Sequence, residues 1–66
     1  MTVTVNGQSW DLPDGATLAD VLDRLGAPPR GVAVALDGAV VPRARWAGTA
    51  LAAGASVDVV TAVQGG

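Results

Sequence analysis

Two adjacent glycines, Gly65 and Gly66, follow Val63 and Gln64 at the end of the sequence. A terminal Gly-Gly carboxylate has no side chain behind it for two residues. It can thread a narrow channel and reach a bound nucleotide where any Cβ would clash, since glycine adopts backbone conformations closed to other residues. Activated as an acyl-adenylate, such a carboxylate accepts sulfide to become a thiocarboxylate, or an amine to become an isopeptide. The last residues of most domains are poorly ordered, so residues 63–66 are expected to form a flexible tail. The dipeptide alone leaves carrier chemistry and a plain frayed terminus both open.

The remaining chemistry is sparse. The 66 residues contain no His, Cys, Lys, Tyr or Glu, and the ionisable side chains are six Asp and four Arg. Common general bases, thiol nucleophiles and Schiff-base amines are therefore missing. A chain of this size buries only about 60% of its unfolded surface and has little material for the walls of a cleft. The expectation is a carrier or binding module over residues 1–66, not an enzyme. Without Cys there is no disulfide or thiolate metal site, and without His zinc lacks its other usual ligand, so no metal is expected. The absence of Lys spares an activated carboxylate from side-chain amines, although GC-rich codon usage accounts for it as well.

A net charge of −2 and a pI near 4.4 argue against nucleic acid, which selects clustered Lys and Arg. They fit a protein partner with a basic face. No apolar run approaches the roughly 18 residues of a membrane span, and no charged-then-apolar leader opens the chain. A cytoplasmic protein without a membrane partner is expected.

The elements that must position the tail are legible from period and punctuation. Residues 2–6 alternate, with Val3 and Val5 on one face and Thr2 and Thr4 on the other, the period of a half-buried strand. Asn6-Gly7 suits the positive φ values of a two-residue hairpin, and residues 8–12 return with Trp10 and Leu12 on one face. After the turn at Pro13-Asp14-Gly15, Thr17 and Asp20 form a capping box. Leu18, Val21, Leu22 and Leu25 then make one apolar helix stripe, leaving Asp20, Asp23 and Arg24 toward water. Gly26 supplies a left-handed stop and Pro28-Pro29 forbids continuation.

Residues 31–36 read as a third strand, turned at Asp37-Gly38 into a short fourth around Val40-Val41, which Pro42 ends. Residues 43–51 read as irregular, with one helical turn around Arg45-Trp46. The last strand runs from Ser56 to about Val63. The order β-β-α-β-β-β predicts an α+β domain, a mixed sheet of four to five strands with one helix packed across it. This looks like the β-grasp, or ubiquitin-like, fold. There the first and last strands lie parallel at the sheet centre, and the C-terminus leaves from its middle.

Alternation fails in the last strand. Val57 and Val59 oppose Asp58, but Val60 and Ala62 put apolar atoms on the wet face. In the third strand Val32, Val34 and Leu36 face the helix, leaving Ala33 and Ala35 on that same outer face. Single exposed apolar residues are ordinary; a group of them leading to the tail reads as a partner-docking surface. Trp46 and Trp10 read as core aromatics, Arg43 and Arg45 as solvated. The turn glycines are not placed as a phosphate-binding loop.

These residues resemble the thiamine-biosynthesis sulfur carrier (ThiS) family along the whole chain. The resemblance rests on Asn6-Gly7, on residues 32–36 leading into Val41-Pro42-Arg43 with Trp46 three residues on, on Gly54, and on the Val63-Gln64-Gly65-Gly66 tail. The VPR-x-x-W element is more specific than the tail. The family often has Asn where Asp37 stands and an aromatic in the last strand, where this chain has Val60-Thr61. The resemblance implies that an E1-like adenylyltransferase of the ThiF type would use ATP and Mg²⁺ to adenylate Gly66. Sulfur from a cysteine-desulfurase persulfide, or another donor, would convert it to a thiocarboxylate. A thiazole synthase of the ThiG type would take that sulfur into the thiazole of thiamine. Gly66 would carry the sulfur, Gly65 would give clearance, and Gln64 and Val63 would guide the tail. The cofactors would belong to the partners, with none bound here. A molybdopterin-synthase small subunit shares the fold and tail but is usually longer and lacks the VPR-x-x-W element. A ubiquitin-type modifier would use the same adenylate and end on lysine. A purely structural interaction domain would tolerate loss of the tail.

Overall fold

The first hairpin sets the frame. Strands β1 (Thr2–Val5) and β2 (Gln8–Asp11) pair antiparallel from Val5↔Gln8 to Thr2↔Asp11. Asn6 and Gly7 between them have φ of 49° and 82°, the doubly positive pair that matches the strands' twist. The structure, a computed structural model, describes residues 1–27 and 30–61; Pro28 and Pro29 fall outside that range.

Helix α1 (Leu18–Leu25) begins with the predicted capping box. Thr17 N–H donates to Asp20 Oδ2 at 2.8 Å, and Asp20 N–H donates to Thr17 Oγ1 at 3.3 Å. Two main-chain donors that the helix cannot satisfy internally are thus paired. At the far end Gly26 is left-handed (φ 69°, ψ 28°). Its N–H donates to the Asp23 carbonyl and that of Ala27 to the Leu22 carbonyl, the paired closure of a Schellman motif. Leu18, Val21 and Leu22 are buried, each contributing about 1.5–3 kcal/mol by burial.

Two parts of the helix differ from expectation. Leu25, on the predicted apolar stripe, is 39% exposed, because the sheet narrows beneath it where β1 turns away at Asn6. Arg24 does not simply face water. Its guanidinium lies 4.9 Å from the Trp10 ring centroid, and Nη1 donates to the Asp11 carbonyl at 3.3 Å. The flat cation covers an indole that the small core leaves half-buried.

Strands β3 (Val32–Leu36), β4 (Ala39–Val40) and β5 (Ser56–Thr61) complete a five-stranded sheet of order β2-β1-β5-β3-β4. β1 and β5 are parallel and adjacent at its centre; the other pairings are antiparallel. This is the mixed sheet of the β-grasp arrangement, with α1 over one face. β4 is one residue earlier than expected, although Val41 N–H still donates to the Val34 carbonyl. Val3, Val5, Val34 and Val57 from the sheet meet Leu18, Val21 and Leu22 from the helix in one core.

The segment after β4 is a 3-10 helix, Arg43–Gly48, longer than the single turn expected. Pro42 precedes it, and Arg45 N–H donates to the Pro42 carbonyl at 2.8 Å. Half-buried Trp46 packs on the core while its Nε1–H donates to the Val41 carbonyl at 2.9 Å. Apolar contact and a satisfied indole N–H together tie Val41 and Trp46 into one unit across Pro42. Arg43 and Arg45 are exposed. Among the described residues no helix is long and apolar enough to cross a membrane.

Candidate functional site

Side chains on β5 alternate between the two faces of the sheet. Val57 is fully buried and Val59 packs against the core, whereas Val60 is 63% exposed on the opposite face. The broken alternation read from the sequence is therefore real, and a one-residue slip that would exchange the faces is ruled out.

The register shows what surrounds Val60. Directly opposite residues on paired strands share a face. Ala33 lies opposite Val60, Ala35 opposite Asp58, and Val40 opposite Ala35. Ala33 is exposed, Ala35 half-buried, and Val40 is 76% exposed. Val60, Ala33, Ala35 and Val40 thus form an apolar half of the outer face, with Asp58 at its margin. The other half carries Thr2, Thr4, Ser9, Asp11 and Ser56. Three of the four predicted docking residues come together as expected. The fourth, Ala62, lies outside the described residues, as do Val63, Gln64, Gly65 and Gly66.

Val40 was not among the predicted docking residues, yet a signal for it exists. A two-residue loop at Asp37-Gly38 fixes the pairs Leu36↔Ala39 and Ala35↔Val40, which puts Val40 beside Ala35. The loop itself repeats the first hairpin, with φ of 49° at Asp37 and 87° at Gly38. Asp37 Oδ1 accepts from Ser56 N–H at 2.9 Å, and Asn6 Oδ1 accepts from Val59 N–H at 2.7 Å. Both turns therefore hold β5 by a side-chain oxygen. Asn and Asp present that oxygen equally well.

A second feature borders the root of the tail. Asn6, Leu25, Gly26, Ala27, Val59 and Thr61 enclose a groove of about 330 Å³. No ionisable side chain lines it. Thr61, the last described residue, pairs with Val32 and lines this groove beside the end of α1.

The profile of the ThiS family matches residues 3–66. Among solved structures, the chain is similar to the thiamine biosynthesis protein ThiS of Geobacter metallireducens. The two share 28% sequence identity and superpose with a TM-score of 0.84, each covered over 100% of its length. No curated protein sequence matches significantly.

Proposed function

Because the chain belongs to the ThiS family, we propose that it is a sulfur carrier of thiamine biosynthesis whose working group is the Gly66 carboxylate. The observation that carries this reading is the course of β5. A central strand, paired with β3 through Thr61, immediately precedes the Val63-Gln64-Gly65-Gly66 sequence and carries Val60 on an uncovered apolar half-face. A strand-anchored root and a side-chain-free end suit insertion of a carboxylate into another protein's active site.

In this reading an E1-like adenylyltransferase binds ATP and Mg²⁺, and the Gly66 carboxylate attacks the α-phosphate, releasing pyrophosphate. The terminal sulfur of a persulfide donor then displaces AMP to give an acyl disulfide. A thiol reductant cleaves its S–S bond, releasing the thiocarboxylate and leaving a disulfide between thiol and donor. The thiocarboxylate is delivered to a thiazole synthase. The domain supplies no catalytic group. It presents the tail and docks through Val60, Ala33, Ala35 and Ala62, while Gly65 gives clearance and Gln64 and Val63 guide the approach. With no Cys in the chain, sulfur cannot be carried as a protein persulfide, which favours a thioacid on a carboxyl group such as that of Gly66. These reactions belong in the cytoplasm, where ATP and the partner enzymes meet.

The test is a mass measurement. Incubated with the adenylyltransferase, ATP and a sulfur donor, the chain is expected to exchange one oxygen for sulfur. Removing Gly66 abolishes the exchange and leaves the thermal melt unchanged. Thiolation of the shortened chain would refute the assignment to Gly66.

A further inference from the structure

β5 is paired unequally along its two edges. Toward β3 the register holds from Leu36↔Val57 to Val32↔Thr61. Toward β1 it pairs only at Ser56 and Val57, since β1 turns away at Asn6. Alternate residues of a strand direct their main-chain polar groups to the same edge. The Val57 carbonyl accepts from Asn6 N–H at 2.9 Å, and Val59 N–H donates to Asn6 Oδ1 at 2.7 Å. Thr61 is next in that series. Among the described residues, nothing bonds the Val59 carbonyl or Thr61 N–H on this edge.

Their residues, Val59 and Thr61, line the groove between the Asn6 turn and the end of α1. Exposed Leu25 and half-buried Ala27 form an apolar wall above the strand edge. An acceptor and a donor spaced along one strand, beside an uncharged apolar wall, match another extended main chain with a small apolar side chain. They do not match an ion or a charged metabolite.

The occupant follows from the reach of the tail. Gly66 lies five residues beyond Thr61 (66 − 61), and an extended chain spans at most about 3.3–3.6 Å per residue. The carboxylate therefore acts within roughly 17–18 Å of Thr61. A protein that encloses it must cover this edge or its immediate surroundings. We infer that the free edge of β5 from Val59 to Thr61 is a strand-addition site, filled by an extended main-chain segment of the protein that receives the Gly66 carboxylate. The inference rests on the carrier reading and adds a main-chain contact to the docking face.

Thr61→Pro tests it, because proline lacks the N–H. That N–H points away from β3, so no hydrogen bond within the described domain is lost, and Val60 is already extended, as a residue before proline must be. Thr61→Val keeps the N–H and controls for the side chain. Binding of the full-length chain to the ThiF-type adenylyltransferase in the presence of ATP is the first readout. Thr61→Pro is expected to weaken it roughly tenfold, and Thr61→Val to stay within about twofold. Amide exchange on the unmodified chain is the second. Thr61 N–H should exchange at least about tenfold more slowly in the complex. Wild-type adenylation with Thr61 exchanging as in the free chain would overturn the edge proposal and leave the carrier reading standing. Failure of that enzyme to bind or adenylate the wild-type chain would overturn both. Slowing of Thr61 exchange in the free chain as its own concentration rises would assign the edge to a second copy, and would overturn the proposal too.

Discussion

The two faces of β5 carry the same residue type under opposite demands. Val57 and Val60 stand three positions apart on one strand. The first is fully buried against α1, and the second is 63% exposed on the outer face. Val57 is there for stability: valine suits a pleated strand, and its burial contributes to folding. Val60 gains nothing comparable from the fold, and the same holds for Val40 two strands away. A cost in solubility without a return in stability is understandable if the surface is covered when the protein works. The difference teaches that apolar residues in one strand can separate into a folding face and a recognition face.

The strongest way to break that distinction is a charge on each face. Val57→Asp buries a carboxylate among Val3, Val5 and Leu18 with no partner. The cost of several kcal/mol is comparable to the whole stability of so small a domain, which is of the order of 5 kcal/mol. The expected outcome is an unfolded chain by circular dichroism at 25 °C. A cooperative melt near that of the wild type would show that Val57 is not core.

Val60→Asp is the matching change on the outer face, and a smaller effect on folding is expected. The residue is exposed and its main-chain bonds stay, so the cost is about 1 kcal/mol or less, mostly from strand preference. Binding to the adenylyltransferase or the thiazole synthase should fall by about 2 kcal/mol or more, because an unpaired charge enters a desolvated contact. Titration calorimetry alongside a thermal melt separates the two quantities. Unchanged affinity for both partners in a folded Val60→Asp protein would remove the outer face from the docking surface.

The sequence reveals this contrast because period two is easy to see when both faces are populated. Val57, Asp58, Val59 and Val60 break the alternation within four residues. The helix is equally legible, since Thr17, Asp20 and Gly26 mark its ends by chemistry that needs no tertiary contact. Less visible is what depends on where neighbouring elements stop. Leu25 belongs to the apolar stripe by spacing, and only the departure of β1 at Asn6 uncovers it. Arg24 reads as a solvated cation, and only the approach of β2 to the helix puts Trp10 beneath it. The groove has no sequence signature at all. It arises because Asn6 lends a side-chain oxygen to Val59 N–H and the main-chain pairing ends there.

Asp58 offers the finest division, and the smallest effect is expected there. It lies on the outer face opposite Ala35, with Ser56 and Val60 two positions away on the same strand. It is exposed, and no ion pair holds it among the described residues. It thus marks the line between the apolar half and the half that carries Thr4 and Ser56. A charge at the rim of an interface acts mainly on the rate of encounter, and salt screens it over about 8–10 Å. Asp58→Asn keeps the shape and removes the charge. Stability should stay within about 0.5 kcal/mol. The association rate with the adenylyltransferase should change by a few-fold at low salt, and the change should vanish as salt approaches about 1 M, where screening is nearly complete. The dissociation rate should not move. Stopped-flow association at two ionic strengths decides the matter. A dissociation rate raised more than about tenfold would place Asp58 inside the buried centre of the contact, and the boundary between the halves would shift toward β1.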